Sequence, residues 1–237
     1  MAVPTKKDNL LRTAFRELMK GVCTSVPGHV LTFDPSQQRA QVQVGVEVVA
    51  AAGFTDRLPP IADVPVLFPG GTQYSTIHQI NPGDEGLILF SQRCVDGWKQ
   101  TGGVASNPLA RFHDAHDAFF IPGFRPLPTR IEGFANDGIR MQSRDGGQHV
   151  WIKSSGEIIA DNGAAQVQIT AGGAVNIQNG AGSIKLLSDG TVNINGTIIN
   201  TDGTIEAPNV TFGGISGKDH RHTGVQSGSS TSGGPTN

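Results

Sequence analysis

The sequence predicts an all-β protein in two unlike parts. The first is an N-terminal OB-like barrel; the second is a ribbon of short strands whose pattern favours a trimeric intertwined β-helix, a β-prism. Three observations carry this expectation. Bulky residues collect early, with ten of the eleven Phe before residue 135 and twelve of the fourteen Pro before 137. From about residue 137 the chain turns to aliphatic doublets at i, i+2 separated by Gly, Asn, Ser and Asp. The first members of these doublets, from Val150 to Val192, recur at spacings of 8, 9, 8, 9 and 8, and Ile198, Ile205/Ala207 and Val210/Phe212 continue the series at shorter spacing.

Residues 1–20 form the N-terminal helical segment. Within it, "DNLLRTAFRELMK" places Leu11, Phe15 and Leu18 at i, i+4, i+7, and Gly21 stops the helix. That apolar stripe suits docking onto another surface. Residues 21–101 read as the barrel. "RAQVQVGVEVV" alternates strictly, with Val42, Val44, Val46 and Val48 on one face. "VCTSVPGHVLTF", "DVPVLFPGG" and "GLILFSQR" supply further strands around the turn-rich "NPGDEG". Four or five strands in about eighty residues suit a small Greek-key barrel. Residues 102–136 read as a Pro-rich connection, 137–207 as the shaft and 208–237 as the tip.

Two aliphatic side chains per eight- or nine-residue unit cannot offset the backbone entropy of ordering it while the opposite side of the ribbon is water. The apolar face therefore needs partners. A single chain that coils into a solenoid is one way to supply them. Triangular coils want an aliphatic every six residues, however, which this repeat does not show. Several copies wound together are the other way, and three faces are the smallest number that enclose a core. The pattern favours the homotrimer.

After the repeat comes "GKDHRHTGVQSGSSTSGGPTN". In extended chain His220 and His222 point to one side, about 6.5–7 Å apart. Two imidazoles are too few for a structural metal ion, which takes four to six ligands. No Cys and no other His follows residue 149. On a threefold axis, two His from each of three chains give six nitrogens, a set that suits an octahedral transition metal. A solvated turn is the plain alternative for an isolated His-x-His.

Elsewhere, "RFHDAHDAFF" gathers His113, Asp114, His116 and Asp117, which offer metal-binding or acid–base chemistry without an accompanying motif. No P-loop, G-x-S-x-G or H-E-x-x-H occurs. The net charge of -2 supplies no global basic field for nucleic acid or anionic lipid, and the barrel strands lack interleaved basic and aromatic residues. Cys23 and Cys94 read as two buried free thiols rather than a disulfide framework. No apolar stretch is long enough to span a membrane and the N-terminus has no signal-type core, so assembly in a cytosol is expected.

The "DHRHTGVQSGSSTSGGP" tail, together with "VPVLFPGG", "GDEGLILFSQRCVDGW" and "HDAHDAFFIPGF", resembles the central spike proteins of contractile-tailed bacteriophages. The resemblance implies a homotrimer in the virion baseplate, assembled in the host cytoplasm. OB domains would form its base, bound through the N-terminal region to the tail tube or baseplate hub. It implies an apex in which one iron ion per trimer is held by six histidines, His220 and His222 of each chain. Calcium and chloride can also lie inside such shafts, and Asp219 is the candidate further cation contact. Residues after 222 would fold back over the tip, with Gly224, Gly228, Gly233 and Gly234 allowing tight reversals.

The expected function is mechanical, not enzymatic: piercing of the host outer membrane on sheath contraction. No segment resembles a lysozyme-like domain. Two other readings remain, a metal-dependent hydrolase using the histidines and a β-solenoid adhesin with an OB-like head.

Overall fold

The computed structural model describes residues 6–49, 55–106, 109–224, 226 and 228. The chain divides into two compact units, Met1–Arg130 and Ile131–Asn237. Strands dominate both. Among the described residues the α-helices are α1 (Lys6–Lys20) and the six-residue α2 (Asp96–Thr101), and neither is long and apolar enough to cross a membrane.

In the first unit the strands are β1 (Ser25–Asp34), β2 (Arg39–Val44), β3 (Val48–Val49), β4 (Thr55–Asp56), β5 (Ile61–Pro65), β6 (Glu85–Phe90) and β7 (Ala118–Pro122). Five of them form a sheet in the order β5-β2-β1-β6-β7. The long β1 serves two neighbours. Its first half pairs with β6, and most of its length pairs with β2 across a register shift between Val30 and Thr32. An extra residue at this point bends the strand and lets the sheet curl. The ends then meet: Val66 bridges Phe120 in parallel, and the Leu67 amide donates to the Phe120 carbonyl at 2.9 Å. This is the closed five-stranded Greek-key path of an OB-type barrel.

Val30, Val42, Val64, Ile88 and Phe120 fill the interior. Gly28 and Gly86 lie opposite each other where β1 meets β6. A Cβ on Gly86 would collide with the Phe120 ring, and one on Gly28 would collide with Ile88, so these two glycines make room for the two largest core side chains.

Two details depart from the sequence reading. The fifth barrel strand, Ala118–Pro122, comes from the segment read as a connection. Its run "AFFIP" carries no alternation for a period count to find, because Pro122 and Gly123 cut it short. Val46 and Val48 do not share the core face with Val42 and Val44. Ladder β1–β2 ends at Gly28↔Val44, and the chain beyond leaves the barrel sheet to pair as β3 with β4 through Val48↔Asp56, so both valines are exposed.

The second unit contains β8 (Gly138–Gln142), β9 (His149–Lys153), β10 (Ile158–Asp161), β11 (Ala165–Ile169), β12 (Val175–Asn179), β13 (Gly182–Leu186), β14 (Val192–Ile194), β15 (Thr197–Ile199), β16 (Ile205–Glu206), β17 (Thr211–Phe212) and β18 (Ile215–Ser216). Strands β8 to β16 run as one nine-stranded antiparallel meander in chain order, with no coil around an internal core. At one edge the same turn recurs. The amides of Gly156, Gly173, Gly190 and Gly203 donate to the carbonyls of Lys153, Thr170, Leu187 and Asn200, each at 3.0 Å. All four glycines have φ between +85° and +91°, which side-chain-bearing residues rarely adopt. The turns repeat 17 residues apart and then 13, as the strands shorten from five residues to three and then two.

Register puts the aliphatic doublets directly opposite one another. Ile158 faces both Ile152 and Ile169, Ile177 faces Val167 and Ile184, and Val192 faces Leu186 and Ile199. The result is one unbroken apolar face. The sequence reading had Ile198 in this series; the register gives the place to Ile199 and sets Ile198 opposite Asn193 and Glu206 on the other side. The two-residue turn Asn195–Gly196 determines this choice, because it sets Thr197 against Ile194.

The other side is mostly polar, with Ile159 buried on it opposite Trp151 and Gln168. Gln168 Nε2 donates to Glu157 Oε1 at 2.9 Å, and Asn176 Nδ2 donates to Gln168 Oε1 at 3.2 Å, a ladder across three strands. Trp151 lies there beneath two cations, Arg140 and Lys153, at 4.8 Å and 4.6 Å from its ring centre.

Candidate functional site

The tip begins with a hairpin. Strands β17 and β18 pair through Thr211↔Ser216 and Phe212↔Ile215, leaving a two-residue turn at Gly213 and Gly214. Both have positive φ, +58° and +85°, which a tight hairpin of this kind requires. The Gly217 amide returns to the Val210 carbonyl at 2.6 Å. Asn209 Oδ1 accepts from Ser216 Oγ at 3.1 Å and from the Lys218 amide at 3.2 Å. The hairpin and Asn209 thus fix the backbone that leads into Asp219, His220, Arg221 and His222.

The two imidazoles are close. Their ring centres lie 4.9 Å apart and their planes meet at 80°. This is nearer than the spacing of an extended strand, because residues 220–222 follow a turn and are irregular rather than a strand. His220 Nδ1 lies 2.9 Å from the Gly217 carbonyl oxygen. A carbonyl can only accept, so Nδ1 is the donor in this bond, which leaves Nε2 as the nitrogen available to a metal. A backbone carbonyl that fixes the tautomer of an imidazole is the usual support behind a metal-binding histidine. The Asp219 amide donates to Ser216 Oγ at 3.1 Å, and its side chain is exposed beside the histidines.

The donor set suits a transition metal in kind but not in number, since one chain supplies two nitrogens. Gly224, with φ of +80°, makes a reversal just after His222, whereas Gly233 and Gly234 lie outside the described residues. Sequence reasoning missed the Gly217 carbonyl and Asn209. The "FGGI" hairpin was the available signal for the first, and nothing local marks the second.

The His/Asp cluster of the barrel does not converge on one point. His113 Nδ1 bonds the Cys23 carbonyl at 3.0 Å. His116 Nδ1 turns to Asp114 Oδ1 at 2.6 Å, and the His116 amide donates to the same oxygen. That amide, followed by the His116 side chain, holds the Asp114 carboxyl below its ordinary value. Asp117 points elsewhere, into full burial, and meets Arg111.

Cys94, Asp96 and Asp117 bring metal-type ligands together, but their centre is already taken by a cation. Arg111 donates through Nη2 to Asp96 at 2.8 Å, to Asp117 at 2.8 Å and to the Cys94 sulfur at 3.3 Å, and through Nε to Asp117 at 3.0 Å. Burial pushes the Asp117 carboxyl up. Hydrogen bonds from Arg111 and the Val95 amide outweigh this and hold it below the ordinary carboxylate value. Asp117 in turn holds the Arg111 proton more tightly than usual. This cluster ties α2 to the start of β7. Cys94 is buried as expected; Cys23 is only half-buried, because it lies at the open end of β1 beside His113.

Two family profiles match the chain. Residues 26–123 match the phage protein Gp138 N-terminal domain, which spans the barrel from β1 through β7. Residues 214–236 match the GpV Apex motif, which begins in the hairpin turn and includes both tip histidines. A comparison with curated proteins gave no match.

Proposed function

We propose that this chain, which its two family matches make a structural protein of the phage central spike at the tail baseplate, works as a homotrimeric, metal-pinned point that pierces the host outer membrane by force. The observation that carries the reading is the apolar face of the nine-stranded sheet. Ile139, Met141, Val150, Ile152, Ile177 and Ile184, among others, stand 44–72 % exposed on a surface with no second layer from its own chain. Covering a dozen such half-exposed side chains is worth on the order of 10 kcal/mol per chain. Three copies, apolar faces inward, enclose a core and leave the Gln/Asn/Glu ladder in water. A solenoid adhesin is disfavoured because consecutive strands pair as an antiparallel meander in chain order, not as a coil.

Three copies also complete the tip. His220 and His222 of each chain would supply six imidazole nitrogens to one octahedral ion, for which we propose iron. That ion would hold three chain ends at one point, where a load-bearing tip otherwise frays. The apolar face carries no carboxylate at its in-register positions. A hard cation such as calcium would find its carboxylate contact at Asp219, and no described residue selects a place for chloride within the shaft. The task is mechanical: shortening strands give a taper, and shared strands resist shear. A metal-dependent hydrolase would need an ion with an open position in each chain.

Native mass spectrometry with elemental analysis tests the reading. The expected result is a trimer with one iron. A folded monomer, or one metal per chain, would overturn it.

A further inference from the structure

Every described side chain of α1 is exposed, including Leu11, Phe15 and Leu18 along one stripe at 61 %, 64 % and 75 %. A lone helix of 15 residues is marginal in water, so this one is built to lie against something. Beside the apolar stripe runs a second line. Arg12, Arg16 and Lys20 follow at i, i+4, i+8, on the flank next to Phe15 and Met19. Lys20 pairs with Glu17 of its own helix at 2.8 Å. Among the described residues Arg12 and Arg16 have no acidic partner.

Charge selects the occupant. Lys6, Lys7, Arg12, Arg16 and Lys20 against Asp8 and Glu17 give α1 a net +3. The whole chain carries -2, so the remainder carries -5. Sister helices packed side by side would bring three sets of +3 together, which disfavours a bundle of copies. Neighbours in a virion tail are proteins, which sets a lipid surface second.

We propose that α1 docks in an apolar groove of a neighbouring tail protein whose one wall is acidic. In that groove Leu11, Phe15 and Leu18 fill the floor while Arg12 and Arg16 meet carboxylates on the wall. The inference rests on the chain's membership of the phage tail; it needs neither the trimer nor the metal.

The test uses tails assembled with the full chain. A water-soluble carbodiimide joins a lysine amine to a carboxylate in contact with it, forming an amide as the reagent takes up the water. Mass spectrometry is expected to find Lys7 or Lys20 joined to Asp or Glu of another tail protein. R12E/R16E should lower spike occupancy on purified tails about tenfold, with native mass unchanged, and R12K/R16K should restore it. Wild-type occupancy for R12E/R16E would overturn the proposal. So would cross-links only between sister helices. Flotation of the wild-type chain, but not R12E/R16E, with phosphatidylglycerol vesicles, together with no cross-link to a tail protein, would assign the helix to a membrane instead.

Discussion

The barrel and the nine-stranded sheet are both antiparallel and both aliphatic on one face, yet only the barrel hides that face by itself. Ile88 and Phe120 are fully buried, whereas Ile177 and Ile184 in the middle of the sheet are each 45 % exposed. The difference is closure. A bend in β1 and the Val66–Phe120 bridge roll five strands until the apolar side chains meet across a barrel. The meander has short, regular turns at both edges and nothing that rolls it. A sheet of this kind has one layer, and a core needs two.

The largest effect should come from charging the unclosed face. Ile177→Asp would place a carboxylate from each copy inside the proposed shared core, a cost on the order of 10 kcal/mol per trimer. Native mass is expected to show monomers or aggregates, while near-ultraviolet circular dichroism still reports a folded barrel. A stable trimer would erase the contrast between the two regions.

Next comes the closed region. Phe120→Ala should destabilise the barrel by about 3–5 kcal/mol in urea unfolding and leave the shaft's transition in place. Loss of both transitions together would mean that the barrel is not self-sufficient.

The Arg111–Asp117 pair sharpens the same point. Arg111→Ala leaves a buried carboxylate unpaired and should cost about 3 kcal/mol. Asp117 titrates lower in the fold than its ordinary 3.8, so its contribution is present above that pH and fades as pH falls through the folded value. As pH falls below the ordinary 3.8 the wild-type barrel should therefore lose more stability than Asp117→Asn does, as read by melting temperature against pH. Parallel curves would show that the pair contributes nothing.

The smallest effect on assembly is expected at the tip. His222→Ala should remove the metal, seen by elemental analysis, while native mass stays trimeric. Dissociation would shift the burden of holding the chains together from the sheet to the ion.

Much of this was legible in the chain. The doublets at 8- and 9-residue spacing fall opposite one another because an antiparallel ladder with equal turns keeps period-2 faces aligned. The two-residue turn Asn195–Gly196 sets Thr197 against Ile194, so Ile199 and not Ile198 takes the place on the apolar face. The fifth barrel strand was hidden because "AFFIP" is buried by a distant partner, Glu85–Phe90, and not by its own pattern. The His113–Asp117 run looked like one site in sequence, yet its side chains leave the backbone in different directions.

Local chemistry alone determined that the second half would be short strands with one apolar face, that glycine would close its turns, and that two histidines would stand together after it. Only the tertiary structure decided that the first half seals itself and that Arg111 occupies the acidic cluster. Those outcomes depend on contacts between residues distant in the chain, and no local period or propensity encodes them.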